Sequence, residues 1–447
     1  MGGVSSSSSC KLKSSFVSFK LCHCGRSLVG VSSMLSVSSL VALSEHVNAS
    51  GVPNFQLCRI PVNSNLKMSV WHERLVQYHD KVVCQYLEYG FPLDFNRNRE
   101  LSEGDGRNHK GAREFPEFIN SYLKRECDAL RIIGPFQKNP FSTPLVTSPL
   151  NSVPKAGEQD RRVIVDLSWP IGNAVNDGIS KDTYLNEPID LRYTSVEEVC
   201  NMVLAIGRGA VLYKRDLRRA YRQIPVDPRD YCYLGYIWNK QWFVDTVLAM
   251  GQRNAAMACS RTTRAVMYMH SENGYVGTSY LDDLIGVSDP ETGTEAYDSL
   301  GNLLEQLGLL ENETKACPPS TVQVVLGVEI NTLELTVSVT SERLDELMEL
   351  FAVWEQKRRA TRTELQSLIG KLCFVVKCVR QSRIFLNRML HTLRSMSKFQ
   401  KSINLSSSFK KDLQWWKNFV EKFNGTLPPP AAHGTIVDDT KYIVYMI

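Results

Sequence analysis

The sequence predicts an α+β fold in which a strand-rich middle is flanked by helical segments. Three observations carry this. Apolar residues recur every three to four positions at Trp71, Leu75, Tyr78, Val82 and Tyr86, and again from Leu365 to Val379 and from Phe409 to Phe423, the spacing of one helix face. Between them lie short runs rich in Val, Ile, Leu and Tyr that read as strands. The chain has 447 residues, more than one small core accommodates, so two or three packed units are expected. Apolar content of 43% and charged content of 22% are those of an ordinary globular protein.

Residues 1 to about 50 are Ser-rich and hold no acid before Glu45, with Lys11, Lys13, Lys20 and Arg26 supplying charge. Organelle-targeting segments share that composition, and Met1-Gly2…Ser6 fits the short myristoylation pattern. The apolar stretch 28–43 is broken by Ser32, Ser33, Ser36, Ser38 and Ser39, a poor membrane span, so no stable membrane association is expected. The reading adopted for residues 1–68 is a low-complexity, disordered tail. Residues 69–150 form a helical extension. It holds one helix over Trp71–Tyr89, stopped by Gly90, Phe91 and Pro92, and another over Phe115–Leu130 with Pro116 in its first turn. Prolines 135, 140, 144, 149 and 154 then imply extended chain.

Strands dominate residues 151–340. Arg162–Leu167 and Ala210–Tyr213 each read as one. Tyr231–Trp238 and Trp242–Val247 read as a hairpin about Asn239-Lys240, Val276–Val287 as two strands folded about Asp282-Asp283, and Gln323–Ile330 with Leu333–Val339 as a further hairpin. Helices return over 341–425, where Thr361-x-x-Glu364 fits a capping box and Gly425 with Pro428–Pro430 marks a stop. Residues 426–447 read as the truncated start of a following region.

The formal net charge is only +5, but residues 341–425 carry 17 Lys and Arg against 8 Asp and Glu. That local excess suits a polyanion such as nucleic acid, whereas a merely solvated helical face is usually more balanced. The 12 cysteines are scattered, and Cys22-His23-Cys24 and the pair Cys373/Cys378 lack the partners a zinc site needs. They read as reduced thiols of a cytoplasmic or nuclear protein.

The chemistry centres on Tyr280-Leu281-Asp282-Asp283. Adjacent carboxylates at a hairpin tip repel one another unless a cation compensates them, and Mg²⁺ prefers carboxylate oxygen. An exposed Asp-Asp turn is also common, so the pair gains weight only from Asp216, which ends an apolar strand 66 residues earlier (282 − 216). Two such carboxylate sites can hold two metals about 3.5–4 Å apart for phosphoryl transfer.

These segments resemble the reverse transcriptases. Asp216 with Tyr221 resembles their motif A, Leu248-Ala249-Met250-Gly251 with Asn254-Ala255-Ala256 motif B, and Tyr280–Asp283 motif C. Gly308-Leu309…Lys315 resembles motif D, and Leu326-Gly327-Val328-Glu329-Ile330 the primer grip. Upstream, residues 148–155 and 162–168 are similar to the fingers motifs, and the match runs in order over about residues 70–425. Residues 365–372 and 411–416 are similar to the thumb and connection of retrotransposon enzymes, gypsy-like or of the tyrosine-recombinase (DIRS-like) type. The resemblance implies a right-hand polymerase fold. Fingers and palm around an antiparallel sheet would occupy 151–340, and a basic helical thumb and connection 341–425.

It further implies an RNA-directed DNA polymerase that extends a primer on an RNA or DNA template with dNTPs. Its cofactors would be two Mg²⁺ ions, with Mn²⁺ as a substitute. Asp216, Asp282 and the Leu217 carbonyl would ligate the metals, with Asp283 in support. Lys155 and Arg162 would grip the triphosphate, although Arg161 is adjacent and the assignment could shift by one. Tyr221 would exclude the ribose 2′-hydroxyl, Met250 and Gly251 would face the nucleotide, and Lys315 would be the general acid. Leu326, Gly327, Lys357, Arg358, Arg359, Arg380 and Arg383 would contact the nucleic acid. Ala249 and Met250 replace the Pro-Phe or Pro-Gln common in motif B. The alternatives are a degraded or co-opted nucleic-acid-binding derivative and, against Tyr221, an RNA-dependent RNA polymerase.

Overall fold

The computed structural model describes residues 35–52, 61–101, 104, 106–155, 160–376, 378, 382–396 and 401–425. The N-terminal part is helical: α1 (Val37–Ser50), α2 (Met68–Arg74), α3 (Val83–Tyr89), α4 (Lys110–Glu114) and α5 (Pro116–Asp128). The middle runs β1 (Ile132–Phe136), β2 (Leu150–Pro154), β3 (Arg161–Val165), β4 (Thr183–Tyr184), β5 (Glu187–Pro188), α6 (Val196–Ile206), β6 (Val211–Asp216), β7 (Gly235–Trp238) and β8 (Gln241–Asp245). It continues through α7 (Ala255–Glu272), β9 (Val276–Tyr280), β10 (Asp283–Ser288), α8 (Gly293–Leu307), β11 (Cys317–Ser320), β12 (Val322–Val325), β13 (Val328–Asn331) and β14 (Thr336–Val339). The C-terminal part holds α9 (Ser341–Gln356), β15 (Arg359–Ala360), α10 (Arg362–Val375), α11 (Arg383–Ser395), β16 (Ile403–Asn404) and α12 (Ser407–Phe423).

The central sheet is antiparallel in the order β11-β6-β10-β9, and it divides two apolar cores. Tyr213 and Leu284 point into a core shared with α1, α5, α7 and α8. Leu212, Ile285 and Val287, on the opposite face by the two-residue strand period, join a core with α6, the β12-β13-β14 sheet and α9 to α12. The fold is thus the expected α+β arrangement, an antiparallel palm with a helical C-terminal unit.

Several expectations need correction. The helix expected over 71–89 is two helices, broken between Arg74 and Val83. The break follows from tertiary contacts: Arg261 forms a two-point ion pair with Asp80 (2.7 and 2.8 Å), and Tyr78 packs on Tyr268. The segment 323–330 is also divided, because Leu326 (φ 48°) and Gly327 (φ 80°) form a two-residue turn between β12 and β13. Residues 231–233 belong to a 3₁₀ turn, Pro228–Tyr233, and not to the hairpin, whose strands β7 and β8 meet at Asn239-Lys240.

The tail expected over 1–68 is ordered where described beyond residue 34. Leu40, Leu43 and Val47 of α1 are buried, and Ser44 Oγ donates to Pro228 O at 2.7 Å. The Ser36 hydroxyl caps its first turn and Gly51 (φ 71°) its last, local signals overshadowed by the serine content. The lipidation pattern, Cys22-His23-Cys24 and most of the Ser-rich targeting candidate, which runs to about residue 50, fall in residues 1–34. Those, with Val379, Arg380 and residues 426–447, lie outside the described residues. No described helix is long and apolar enough to cross a membrane.

Candidate active site

Asp216 is the last residue of β6 and lies directly opposite Asp283, the first residue of β10. Opposed residues of an antiparallel pair share a face, so both carboxylates continue the stripe of Leu212, Ile285 and Val287 where that face leaves the core. Asp282 stands one residue earlier, in the two-residue turn that pairs Tyr280 with Asp283. Leu281 at the first turn position has φ 54°, a conformation costly for a branched side chain. The Leu217 N–H donates to Asp282 O at 2.9 Å and stitches the turn to the end of β6. Leu217 itself is buried.

Burial raises the Asp282 carboxyl above the usual range, and Asp216 adds to this while Lys315 and Arg162 oppose it. Burial, then repulsion from Asp282 and Asp216, raises Asp283 to about 6 against the pull of Lys214 and Lys315. Asp282 and Asp283 are therefore incompletely neutralised, each repelled by Asp216. Asp216 is held by the strap after α8. The Asn312 amide donates to Asp216 Oδ1 (3.2 Å), Lys315 Nζ pairs with Oδ2 (3.2 Å), and the Asn312 N–H donates to Asp216 O (2.7 Å). Lys315 thus faces an aspartate of the site. Gly308 (φ 77°) starts the strap, and a Cβ there would lie 2.0 Å from Asn65 O, which admits glycine alone. Among the described residues, no three His, Cys, Asp or Glu side chains converge as a ready-made metal cage.

Tyr221 lies in the 3₁₀ turn Ala220–Gln223, half-buried against the first core. Burial raises its phenol, and the charges of Cys259 and then Asp282 add to the effect. Tyr193 and Tyr280 pack at 5.2 Å between ring centroids, and Thr194 Oγ1 donates to Ser279 O at 2.9 Å. This stitch precedes α6, whose start is a Ser195/Glu198 capping box. Sequence reasoning passed over that segment, although its S-x-x-E spacing was a usable signal.

The two fingers arginines separate. Arg161 turns inward to Ser152 Oγ and O (2.9 and 2.8 Å) and lies 3.7 Å over the Phe115 ring, whereas Arg162 is exposed and its charge reaches Asp282. Lys155 pairs with Asp160 across the end of the β2–β3 hairpin. Met250 is exposed, and Gly251 (φ 98°) accepts a hydrogen bond from Asn176 Nδ2 at 2.9 Å. Asn176 Oδ1 also accepts the Arg253 N–H, so one buried amide joins the motif-B loop to the fingers, another residue sequence reasoning missed.

Leu326 and Gly327 form the β12–β13 turn against the second core. Of the expected thumb cations, Lys357 is committed to Glu364 (2.5 Å) of the α10 capping box. Arg358, Arg359 and Arg383 are exposed.

In fold, this antiparallel sheet flanked by helical parts is similar to solved reverse transcriptase structures. The foamy viral protease–reverse transcriptase dRH in complex with ds DNA matches at TM-score 0.57 and 15% identity, over 82% of this chain and 62% of that one. The foamy viral enzyme with RNA/DNA hybrid matches at 0.55 and 15%, over 89% and 48%, and with dsDNA at 0.53 and 14%, over 90% and 75%. The chain therefore spans less than two thirds of the first two relatives. No protein-family model matches the sequence, and no curated protein matches it.

Proposed function

We propose that the chain is an RNA-directed DNA polymerase of a retrotransposable element, extending a primer on RNA or DNA with dNTPs. The observation that carries this reading is the register Asp216↔Asp283 with Asp282 in the adjoining turn. Partly desolvated, mutually repelling carboxylates at the end of β6 and the adjoining β9–β10 turn suit a hard divalent cation. Two carboxylates suffice, because Mg²⁺ is commonly bound by one or two carboxylates together with substrate phosphates. Asp216, Asp282 and the Leu217 carbonyl would hold the ions, with Asp283 adding negative charge. Bound there, two Mg²⁺ (or Mn²⁺) would polarise the primer 3′-hydroxyl and neutralise the triphosphate.

The chain's own groups do the positioning. Arg162, exposed on β3, binds the incoming triphosphate, and Lys155, just past the end of β2, assists once it leaves Asp160. Met250 and the Gly251 backbone bound the base, and Tyr221 bars a 2′-hydroxyl. Lys315, 3.2 Å from Asp216 Oδ2, moves to the triphosphate and protonates the leaving pyrophosphate. Leu326, Gly327, Arg358, Arg359, Arg380 and Arg383 contact the primer–template, the kind of duplex found with the foamy viral enzymes, while Lys357 contributes through the α10 cap. Scattered cysteines support a cytoplasmic or nuclear location.

Primer extension on poly(rA)/oligo(dT) with dTTP and Mg²⁺ tests the reading. Wild type is expected to extend the primer, and Asp282→Asn to lose about 10³-fold or more in rate. No extension by wild type would leave a nucleic-acid-binding derivative, and full activity in the variant would refute the metal assignment.

A further inference from the structure

The residues following Tyr221 are held more firmly than a surface turn requires. The Arg222 side chain is 8% exposed, with Nη2 2.7 Å from Asp245 Oδ1, and Nε donates to Glu126 Oε2 at 3.1 Å. Glu126 on α5 is fully buried and also pairs with Arg219 Nη1 at 3.1 Å. Asp245 ends β8 and is equally enclosed. On the other side, Gln223 Nε2 donates to Arg218 O and Leu310 O, both at 2.9 Å, and its Oε1 accepts the Leu310 N–H at 2.7 Å. The turn is thereby tied to α5, to β8 and to the strap that reaches Asp216.

Stability alone does not call for this arrangement. Burying a guanidinium and two carboxylates costs desolvation, and apolar residues of the same volume often hold a fold as well or better. What an arginine fork adds is direction, since its planar donors fix the backbone that carries it. Burial opposes ionisation of Glu126, yet Arg222, Arg131 and Arg219 outweigh it and hold that carboxyl below its usual range, while burial pushes the Asp245 carboxyl up against the pull of Arg222.

We infer that Arg222, with Glu126 and Asp245, is a positioning device for Tyr221 that sets how strictly the enzyme excludes a ribose 2′-hydroxyl. This rests on the polymerase reading above. The ring discriminates one oxygen atom, so a turn free to shift by about 1 Å would admit it, a displacement large enough to change rates substantially.

The test measures the ratio of dTTP to UTP incorporation by the full chain on poly(rA)/oligo(dT). Asp245→Asn and Glu126→Gln keep the side-chain shapes and weaken the anchor. Each is expected to lower the ratio about tenfold through a gain in UTP use, with dTTP turnover little changed. A purely structural role would lower the melting temperature and both activities together, leaving the ratio unmoved. Arg222→Lys, which lacks the fork, serves where a carboxamide variant does not fold, with the same fall expected. Tyr221→Val is the reference. If it lowers the ratio and the folded anchor variants do not, the inference is overturned. A ratio unmoved by Tyr221→Val overturns the gate assignment itself.

Discussion

At the residue scale, the three aspartates are a source of instability that function would justify. Asp283 has its carboxyl raised to about 6, first by burial and then by Asp282 and Asp216. A carboxyl raised above its unfolded value favours the folded state while protonated. Its contribution is complete below pH 4 and is lost as pH rises from about 4 to about 6. With metals chelated, Asp283→Asn should therefore stabilise the protein above pH 6 by about 1–2 kcal/mol, after allowance for solvent screening, and do nothing at pH 4. Thermal melts at the two pH values check this, and an equal shift at both would contradict the charge origin. Such a gain alongside lost polymerisation is the usual exchange between stability and activity.

At the scale of single elements, α1 is the test case. Serine-rich composition marks residues 1–68 as unstructured, yet Leu40, Leu43 and Val47 form one buried face against the turn Pro228–Tyr233. That turn is capped by Asp227 and carries Asp230, both buried, with burial pushing each carboxyl up. Leu40 is fully enclosed, so Leu40→Ala should cost about 3 kcal/mol in chemical denaturation. An unchanged midpoint would mean that the helix does not dock. The hairpin about Asp282-Asp283 was legible, because turn residues and strand periods lie within a few positions. The helix divided at Arg74–Val83 was not, because what interrupts its stripe is Arg261, 181 residues away.

At the scale of the whole molecule, the basic excess in 341–425 is expected to act through phosphates, without reading sequence. Duplex affinity should fall steeply as salt rises and vary little among sequences. A flat salt dependence would sink the proposed interface. Lys357 tempers the count, since it is paired with Glu364, whereas Arg358 and Arg359 are exposed on the same segment.

The sequence by itself determined the fold class and the identity of the candidate carboxylates, for both are written in short-range patterns. Strand periodicity brings Asp216 to a strand end, and a two-residue turn brings Asp282 beside Asp283. It did not reveal what steadies them. Asn312 reaches Asp216 across 96 residues, and Arg222 reaches Glu126 across the same separation. Such pairs have no local signature, because a charged or amide side chain looks solvated until the fold removes water from around it. Only the tertiary structure separated Arg161, bound to Ser152 and Phe115, from Arg162, which is left exposed. Neighbours in a strand differ by nothing but which face meets the core.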